Sequence, residues 1–373
     1  MRRSLIAAAA LAPLVIAASG AAHAETVITT AVTTPVITSK ANSGAPDDVK
    51  INSGGSVTIS AAGAIVTVDS PNTFRNEGTL SANNVDGVIG IQVNGGLKST
   101  VTNAGQINIV EDYIAVDTDP ADGDLDGPFA KGSNRYGIRE SGVGVFDGSI
   151  QNVIGGSITV EGNTSYGVLV ETGVTGNVFT PGAISVFGDK SVGLDIKGDV
   201  GGNVRVGSVN VVGDGDSAIV SDANVTGGVN IGGAVASTGY RYTSRPSTKS
   251  TIAALDNDDL LQGGPGVRIS GDVGKGLILS VAPADLDTKN DDEDGDGVVD
   301  SAQSTGTIAQ RGGAPALQIG AMGKSVTFGL VGTGTNAYGI VSNGTILADG
   351  VYDNVASTAI DLGLDGGGAV TIT

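Results

Sequence analysis

The chain has 373 residues, including 61 glycines but only 6 phenylalanines, 7 tyrosines and no tryptophan. Although 40% of the residues are hydrophobic, so few aromatic residues argue against an ordinary globular core. The 39 acidic residues outnumber the 20 Lys and Arg and repel phosphate groups, which argues against nucleic-acid binding. The absence of cysteine excludes a Cys nucleophile and the usual cysteine-ligated zinc sites.

Residues 1–24 carry the pattern of a cleaved secretory signal peptide. The basic start MRRS is followed by an apolar run and then by Ala22-His23-Ala24, a small-residue cleavage site. Pro13 interrupts the apolar run, which is shorter than the roughly 20 residues of a membrane-spanning helix. We expect an exported mature chain with 18 basic and 39 acidic residues, a net charge of −21 and no histidine. Such a chain has no Ser-His-Asp triad.

From about residue 75 onward, a turn glycine followed by a short β-branched run recurs along the chain. The intervals are 25 to 27 residues, with one of 51 that is close to two periods, and the glycines are Gly78, Gly105, Gly156, Gly182, Gly207 and Gly233. A second motif, S-x-G-[IV] and its variants, keeps the same period at Ser165, Ser191 and Ser217. A fixed period of this length is typical of a solenoid.

Each period contains three short runs that alternate apolar and polar residues, separated by Gly, Asn and Asp. The sequence therefore predicts an all-β fold, a parallel β-helix (β-solenoid) with about 26 residues per coil. We expect an N-terminal cap in residues 25–55 and a solenoid in residues 56–373, with about twelve coils and a length of about 60 Å. A β-sandwich array is the alternative, but its modules repeat at about 90 residues.

Three excursions interrupt the coils at about residues 112–134, 240–261 and 283–303. Insertions in a solenoid usually leave from one face, and that face often binds ligands. The GLDGGGAVTIT segment that ends at Thr373 stops within the repeat pattern, so we expect the chain to be part of a longer protein.

The third excursion contains a D-x-D-x-D-G-x-x-D run, which is typical of a calcium loop. Side-chain or main-chain oxygens at alternate positions converge on one centre, and glycine at position 6 permits the sharp turn. The predicted ligands are Asp292, Asp294, Asp296, the Val298 carbonyl and Asp300. Position 12 is Gln303 rather than the bidentate Glu of an EF-hand, so the run resembles the short aspartate loops of thrombospondin type 3 repeats.

The first excursion repeats this pattern less completely. Its predicted calcium ligands are Asp122, Asp124 and Asp126, with Asp117 and Asp119 able to supply further oxygens. The alternative for both excursions is a solvated acidic loop without a metal. A third set of turn residues, Asn163, Asp189 and Asp214, is better explained by the turn preference of Gly-Asn and Gly-Asp than by a bound cation.

The A-x-A signal, the N-x-G-x-[IL] turns and the S-x-G-[IV] runs together resemble the passenger region of bacterial autotransporters. The similarity covers roughly residues 50–373 and is strongest to passengers of alphaproteobacteria, which share the acidic loops followed by RYGIR and a TGYRY segment. This resemblance implies a right-handed β-helix on the outer surface or outside the cell. It also implies an outer-membrane translocation barrel, which we expect in the full-length protein.

The functional prediction is a structural or adhesive surface protein without catalytic activity, with calcium as its cofactor. Its partner would be an extracellular surface or a glycan. The alternative is a secreted polysaccharide lyase or hydrolase on a parallel β-helix. Its candidate residues are the acidic pairs Asp258-Asp259 and Asp291-Asp292, with Arg268 or Lys275 as base.

Overall fold

The computed structural model describes residues 25–118, 120, 125–284, 286–287, 289–295, 297–335 and 337–373. In it the chain winds into a parallel β-helix, as the repeat predicts. Three sheets, named A, B and C in the order in which the chain enters them, each contain ten described strands. Each strand pairs in parallel with the strands of the coils before and after it.

Sheet A contains the strands Thr26–Ile28, Val49–Ile51, Phe74–Asn76, Lys98–Asn103, Asp147–Asn152, Val178–Thr180, Val204–Val206, Val229–Ile231, Leu277–Leu279 and Ile340–Ser342. Sheet B contains Ala31–Val32, Ser56–Thr58, Thr79–Asn83, Gln106–Val110, Ser157–Glu161, Ala183–Phe187, Val209–Val212, Ala234–Thr238, Thr307–Arg311 and Thr345–Asp349. Sheet C contains Val36–Ile37, Gly63–Val68, Val88–Asn94, Tyr136–Ser141, Tyr166–Val170, Val192–Ile196, Ser217–Ser221, Val267–Ile269, Pro315–Ile319 and Thr358–Leu362. A short parallel pair, Val326–Phe328 with Val370–Ile372, completes the strands, and the helical segments are Thr38–Lys40, Lys249–Ala254 and Asp300–Ala302.

The strand register confirms the period. Val178 pairs with Val204, and Val204 pairs with Val229, at intervals of 26 and 25 residues. Residues 25–55 contribute the first strand of each sheet, so the segment predicted as a cap is itself the terminal coil. The predicted twelve coils are too many, because the excursions take up chain: Val229 pairs with Leu277, 48 residues later. Ten coils at about 4.8 Å give a rod of about 43 Å.

The interior is a narrow column of stacked aliphatic side chains. One column is formed by residues that bridge from coil to coil in parallel, and its members are Phe146, Val174, Val200, Val225, Val273 and Phe328. Each of these is at most 1% exposed. Because each layer of the interior is narrow, Val and Ile fill most of the core and large aromatic residues are rare.

A ladder of asparagine amides explains the N-x-G turns. Asn76 Nδ2 donates to Asn103 Oδ1 over 2.7 Å, and Asn103 Nδ2 donates to Asn152 Oδ1 over 2.8 Å. All three residues are completely buried. The following glycine is required because the coils approach closely: a Cβ on Gly105 would lie 2.2 Å from the Gly78 carbonyl oxygen.

A second glycine column explains the S-x-G-[IV] runs of sheet C. A Cβ on Gly137 would lie 2.4 Å from both the Gly167 carbonyl oxygen and the Ile158 side chain. The glycine allows the strand to pack against Ile158 of sheet B, which is 1% exposed. Later coils place Ala218 and Ala316 at this position, so small volume is the property that the column requires.

The excursions leave the rod at two corners, which corrects the expectation of a single face. The first, after Val110, and the second, after Thr238, connect sheet B to sheet C, whereas the third, after Leu279, connects sheet A to sheet B. The first two contact each other: Gly127 N donates to Asp258 Oδ2 over 2.6 Å. The third therefore has different surroundings from the other two.

Candidate functional site

The third excursion folds back along the corner between sheets A and B. Ser304 Oγ donates to the Gly232 carbonyl over 3.0 Å, and Arg205 Nη2 donates to Gln303 Oε1 over 3.4 Å. Arg205 faces outward from sheet A, yet it is only 5% exposed because the excursion covers it. The excursion is thus packed against the rod through side chains at its C-terminal end.

The predicted ligands of this excursion are brought together in part. The carboxylates that meet, each with one oxygen within 4.8 Å of the others, belong to Asp292, Asp294 and Asp300. Gln303 Nε2 donates to Asp294 Oδ1 over 3.3 Å and to the Val298 carbonyl over 3.1 Å, so that carbonyl lies beside the cluster. Asp296 lies outside the described residues. Four of the five predicted ligands are therefore neighbours.

Asp300 is the carboxylate of this cluster with the least access to solvent. It is 8% exposed, and its Oδ1 atom is buried without a hydrogen-bond partner among the described residues. Its Oδ2 atom accepts a long bond of 3.4 Å from Glu293 N. A buried carboxylate with so few donors is unfavourable unless a cation or a proton neutralises it. Gln303 Nε2 brings donor hydrogens to the neighbouring oxygens, but it carries no charge.

The first excursion places Asp126 in a different set of residues. Its carboxylate lies within 4.8 Å of those of Asp256 and Asp258, which belong to the second excursion. Asp122 and Asp124 lie outside the described residues, so the rest of the predicted loop has no structural description. Asp256 could not be predicted as a member of this cluster, because nothing in local spacing relates it to Asp126, 130 positions earlier.

This second cluster holds the first and second excursions together. Asp258 Oδ2 lies 3.5 Å from Arg241 Nη2, and the Arg241 guanidinium lies 4.7 Å from the centre of the Phe129 ring. Partial burial raises the pKa of Asp258, and a hydrogen bond with Asp256 raises it further. The positive charge of Arg241 offsets part of the negative charge that would attract a cation to this cluster.

A groove lies on the outer face of sheet A beside the third excursion. Its volume is about 330 Å³, and its floor spans four coils from Phe179 to Ile278. Asp294 and Gly295 line one side, and Lys275 lines another. The groove could not be predicted from the sequence, since it depends on where the excursion folds; Lys275 is also a candidate base of the alternative enzyme.

The turn column of Asn163, Asp189 and Asp214 has a structural role. Asn163 Oδ1 accepts from Asp189 N over 2.7 Å, and Asp189 Oδ1 accepts from Asp214 N over 3.0 Å. The side chains of Asn163 and Asp189 therefore each satisfy a backbone amide of the next coil, as expected for Asn and Asp at turns. The geometry favours the turn-forming explanation over a cation ladder.

The residues proposed for the alternative enzyme lie in more than one part of the rod. Arg268 pairs with Asp222 over 3.2 Å on sheet C, whereas Lys275 lies at the groove on sheet A. Asp259 is 1% exposed and accepts from Asp256 N over 3.0 Å. Asp292 has a carboxylate oxygen within 4.8 Å of one of Asp294, which lines the same groove as Lys275, so this part of the set lies near the groove.

Comparison with known proteins finds no matching family model, no matching curated protein and no matching solved structure. Within the described ranges, no helix has the length and apolar character needed to cross a membrane.

Proposed function

We propose that this chain is the exported rod of a structural or adhesive surface protein, built like an autotransporter passenger. The observation that supports this proposal most is the continuous stack of three ten-stranded sheets, from which three excursions project. A rod of this kind holds loops at a distance from its point of attachment. Its net charge, −19 for the whole chain, favours solubility and resists self-association.

The surface role can be tested on cells that express the natural gene. External protease or an antibody against residues 240–261 should reach the protein on intact cells, or the protein should appear in the medium. Deletion of the gene should reduce attachment to cells or abiotic surfaces. A protein found only inside intact cells would contradict the proposal.

We further propose that the third excursion binds calcium. The oxygens of Asp292, Asp294 and Asp300 already lie together, with the Val298 carbonyl beside them, and calcium prefers six to eight such hard oxygen ligands. The buried Oδ1 atom of Asp300, to which no described residue donates a hydrogen bond, supports a cation over a merely solvated loop. Calcium would hold together the part of the excursion that covers Arg205 and borders the groove.

Calcium binding can be measured by isothermal titration calorimetry on the mature chain. We expect a dissociation constant on the order of 10⁻⁴ to 10⁻³ M, the range of extracellular modules, and loss of this binding in Asp300→Asn. Asp287→Asn is the matched control, since this carboxylate belongs to the same excursion but lies outside the cluster. Equal affinity in wild type and Asp300→Asn would refute the site.

A further inference from the structure

The C-terminal part of the third excursion packs onto the rod through an apolar side chain. Val298 is 3% exposed, whereas the next residue, Val299, is 46% exposed. Val298 lines a cavity of about 80 Å³ at the corner between sheets A and B, together with Ile154, Pro181 and Arg205. Burial of the Val298 side chain therefore contributes free energy to the docking of the excursion, while the Val299 side chain contributes little.

Two further contacts attach this segment to the outer face of sheet A. A Cβ on Gly297 would lie 3.7 Å from two atoms of the Phe179 ring, so the main chain of the excursion passes beside that ring. On the neighbouring coil, Arg205 Nη2 donates to Gln303 Oε1 over 3.4 Å. Because Phe179 and Arg205 pair in register, the excursion contacts two adjacent coils of the rod.

The residues that make these contacts also belong to the proposed calcium cluster. Val298 supplies its main-chain carbonyl, and Gln303 Nε2 donates to that carbonyl over 3.1 Å and to Asp294 Oδ1 over 3.3 Å. Asp300 lies between them in the chain, at the start of the helical segment Asp300–Ala302. The arrangement that brings the ligand oxygens together is therefore the same arrangement that places the Val298 side chain in the corner.

The charge of the excursion opposes this arrangement when no cation is bound. Residues 283–303 contain eight acidic residues and one lysine, a net charge of −7. The carboxylates of Asp292, Asp294 and Asp300 each have an oxygen within 4.8 Å of the others, and Asp300 is buried. Mutual repulsion and the cost of burying Asp300 favour separation of the cluster unless a divalent cation offsets both.

We propose that calcium controls the docking of this excursion, which is held on the rod when calcium is bound and released when calcium is removed. The proposal rests on the calcium site proposed above and adds what that site regulates, namely access to Phe179, Arg205 and the groove. Calcium can shift this equilibrium because the docked state offers it a formed cluster and the released state does not. Docking should respond to calcium at concentrations on the order of 10⁻⁴ to 10⁻³ M, the range of extracellular modules.

The first test uses the reciprocity of linked equilibria. If calcium favours docking, docking must favour calcium binding by the same factor. Val298→Ala weakens docking but keeps the main-chain carbonyl, and Val299→Ala is the matched control because that side chain is exposed. By calorimetry on the mature chain, calcium binding should be about threefold to tenfold weaker in Val298→Ala and unchanged in Val299→Ala.

The second test reports docking directly by fluorescence. The chain has no tryptophan, so Phe179→Trp places a single fluorophore beside Gly297. Phe187→Trp is the control, since Phe187 is also half-buried but ends a sheet B strand at the other corner. Calcium should change the emission of Phe179→Trp, with the midpoint found by calorimetry, and should leave the emission of Phe187→Trp unchanged.

The outcomes separate this proposal from the calcium site itself. Calcium binding without a change in the emission of Phe179→Trp, or with wild-type affinity in Val298→Ala, would overturn calcium-controlled docking and leave the calcium site standing. Equal weakening in Val299→Ala would also overturn it, because the effect would then not come from the docked side chain. Absence of calcium binding to the wild-type chain would overturn both proposals.

Discussion

Asp216 provides a quantitative test of the packing between coils. It is completely buried in the turn before the sheet C strand Ser217–Ser221. Its Oδ1 atom accepts from Ser191 N over 2.7 Å, and its Oδ2 atom has no hydrogen-bond partner among the described residues. Burial raises the pKa of Asp216 to about 9 from an ordinary value of 3.8. The Ser191 bond opposes this shift, while the nearby carboxylates of Asp189 and Asp214 add to it.

The raised pKa makes the stability of the fold depend on pH in a defined direction. The unfolded chain loses its Asp216 proton near pH 3.8, but the folded chain retains it up to about pH 9. Between these values the unfolded state binds fewer protons, so stability falls as pH rises, by about 1.4 kcal/mol per pH unit. From pH 5 to pH 8 the loss from this one group is on the order of 4 kcal/mol.

The substitution Asp216→Asn tests this prediction. Asparagine keeps the shape of the side chain and the acceptor for Ser191 N, but it cannot ionise. We expect the free energy of unfolding of the variant to match that of wild type near pH 4. From pH 5 to pH 8 the advantage of the variant over wild type should grow by on the order of 4 kcal/mol. The assay is urea unfolding followed by circular dichroism at both pH values. Asp214→Asn in the same turn is the control.

The difference between wild type and variant isolates Asp216, because the other titrating groups are common to both chains. A difference that stays constant between pH 5 and pH 8 would contradict the prediction, since it would mean that Asp216 is ionised in the folded chain. If the difference in stability between Asp214→Asn and wild type changed with pH as much as that of Asp216→Asn, the effect would not come from the burial of Asp216.

Three further changes test the ladders and the calcium site. Asn103→Ala should destabilise the chain by about 2–4 kcal/mol in urea unfolding, because it leaves buried amide groups unpaired; the half-buried Asn108→Ala should change stability far less. Gly137→Ala should cost about 1–3 kcal/mol by the same assay, since its Cβ meets backbone; Gly54→Ala, whose Cβ would meet only the Thr29 carbonyl oxygen at 3.7 Å, should be nearly neutral. Gln303→Glu should tighten calcium binding by calorimetry, because it supplies a bidentate carboxylate at position 12.

Each of these changes has an outcome that would contradict it. A cost below about 1 kcal/mol for Asn103→Ala would show that the amide ladder adds little to stability. Equal stability of the two Gly→Ala variants would mean that the coils can separate at Gly137 without loss. Unchanged or weaker calcium affinity in Gln303→Glu would show that position 12 does not face the cation.

The sequence alone predicted the features of this fold that repeat. The parallel β-helix, its period and the three excursions follow from local pattern, because each coil must repeat the spacing of its neighbours to stack on them. The turn position of Gly105 also follows from the repeat, whereas the buried amide ladder through Asn103 was found only in the structure. The number of coils did not follow, since the chain length consumed by the excursions cannot be read from the period.

The features that the sequence did not reveal involve contacts between distant segments. The sequence shows that Asp126 and Asp258 belong to acidic loops, but their meeting depends on both excursions leaving the same corner of the rod. The groove was missed for the same reason, because its wall forms only when the third excursion turns back over Arg205. The cluster of Asp292, Asp294 and Asp300 was accessible to sequence reasoning, because its spacing is local.

The central claim is that the chain is exported and acts as a rod outside the cytoplasm. Mass spectrometry of the protein recovered from fractionated cells and medium tests this claim most directly. The account predicts a mature N-terminus at Glu25, after Ala22-His23-Ala24, on protein found at the cell surface or in the medium. A protein that retains residues 1–24 and remains in the cytoplasm would contradict it.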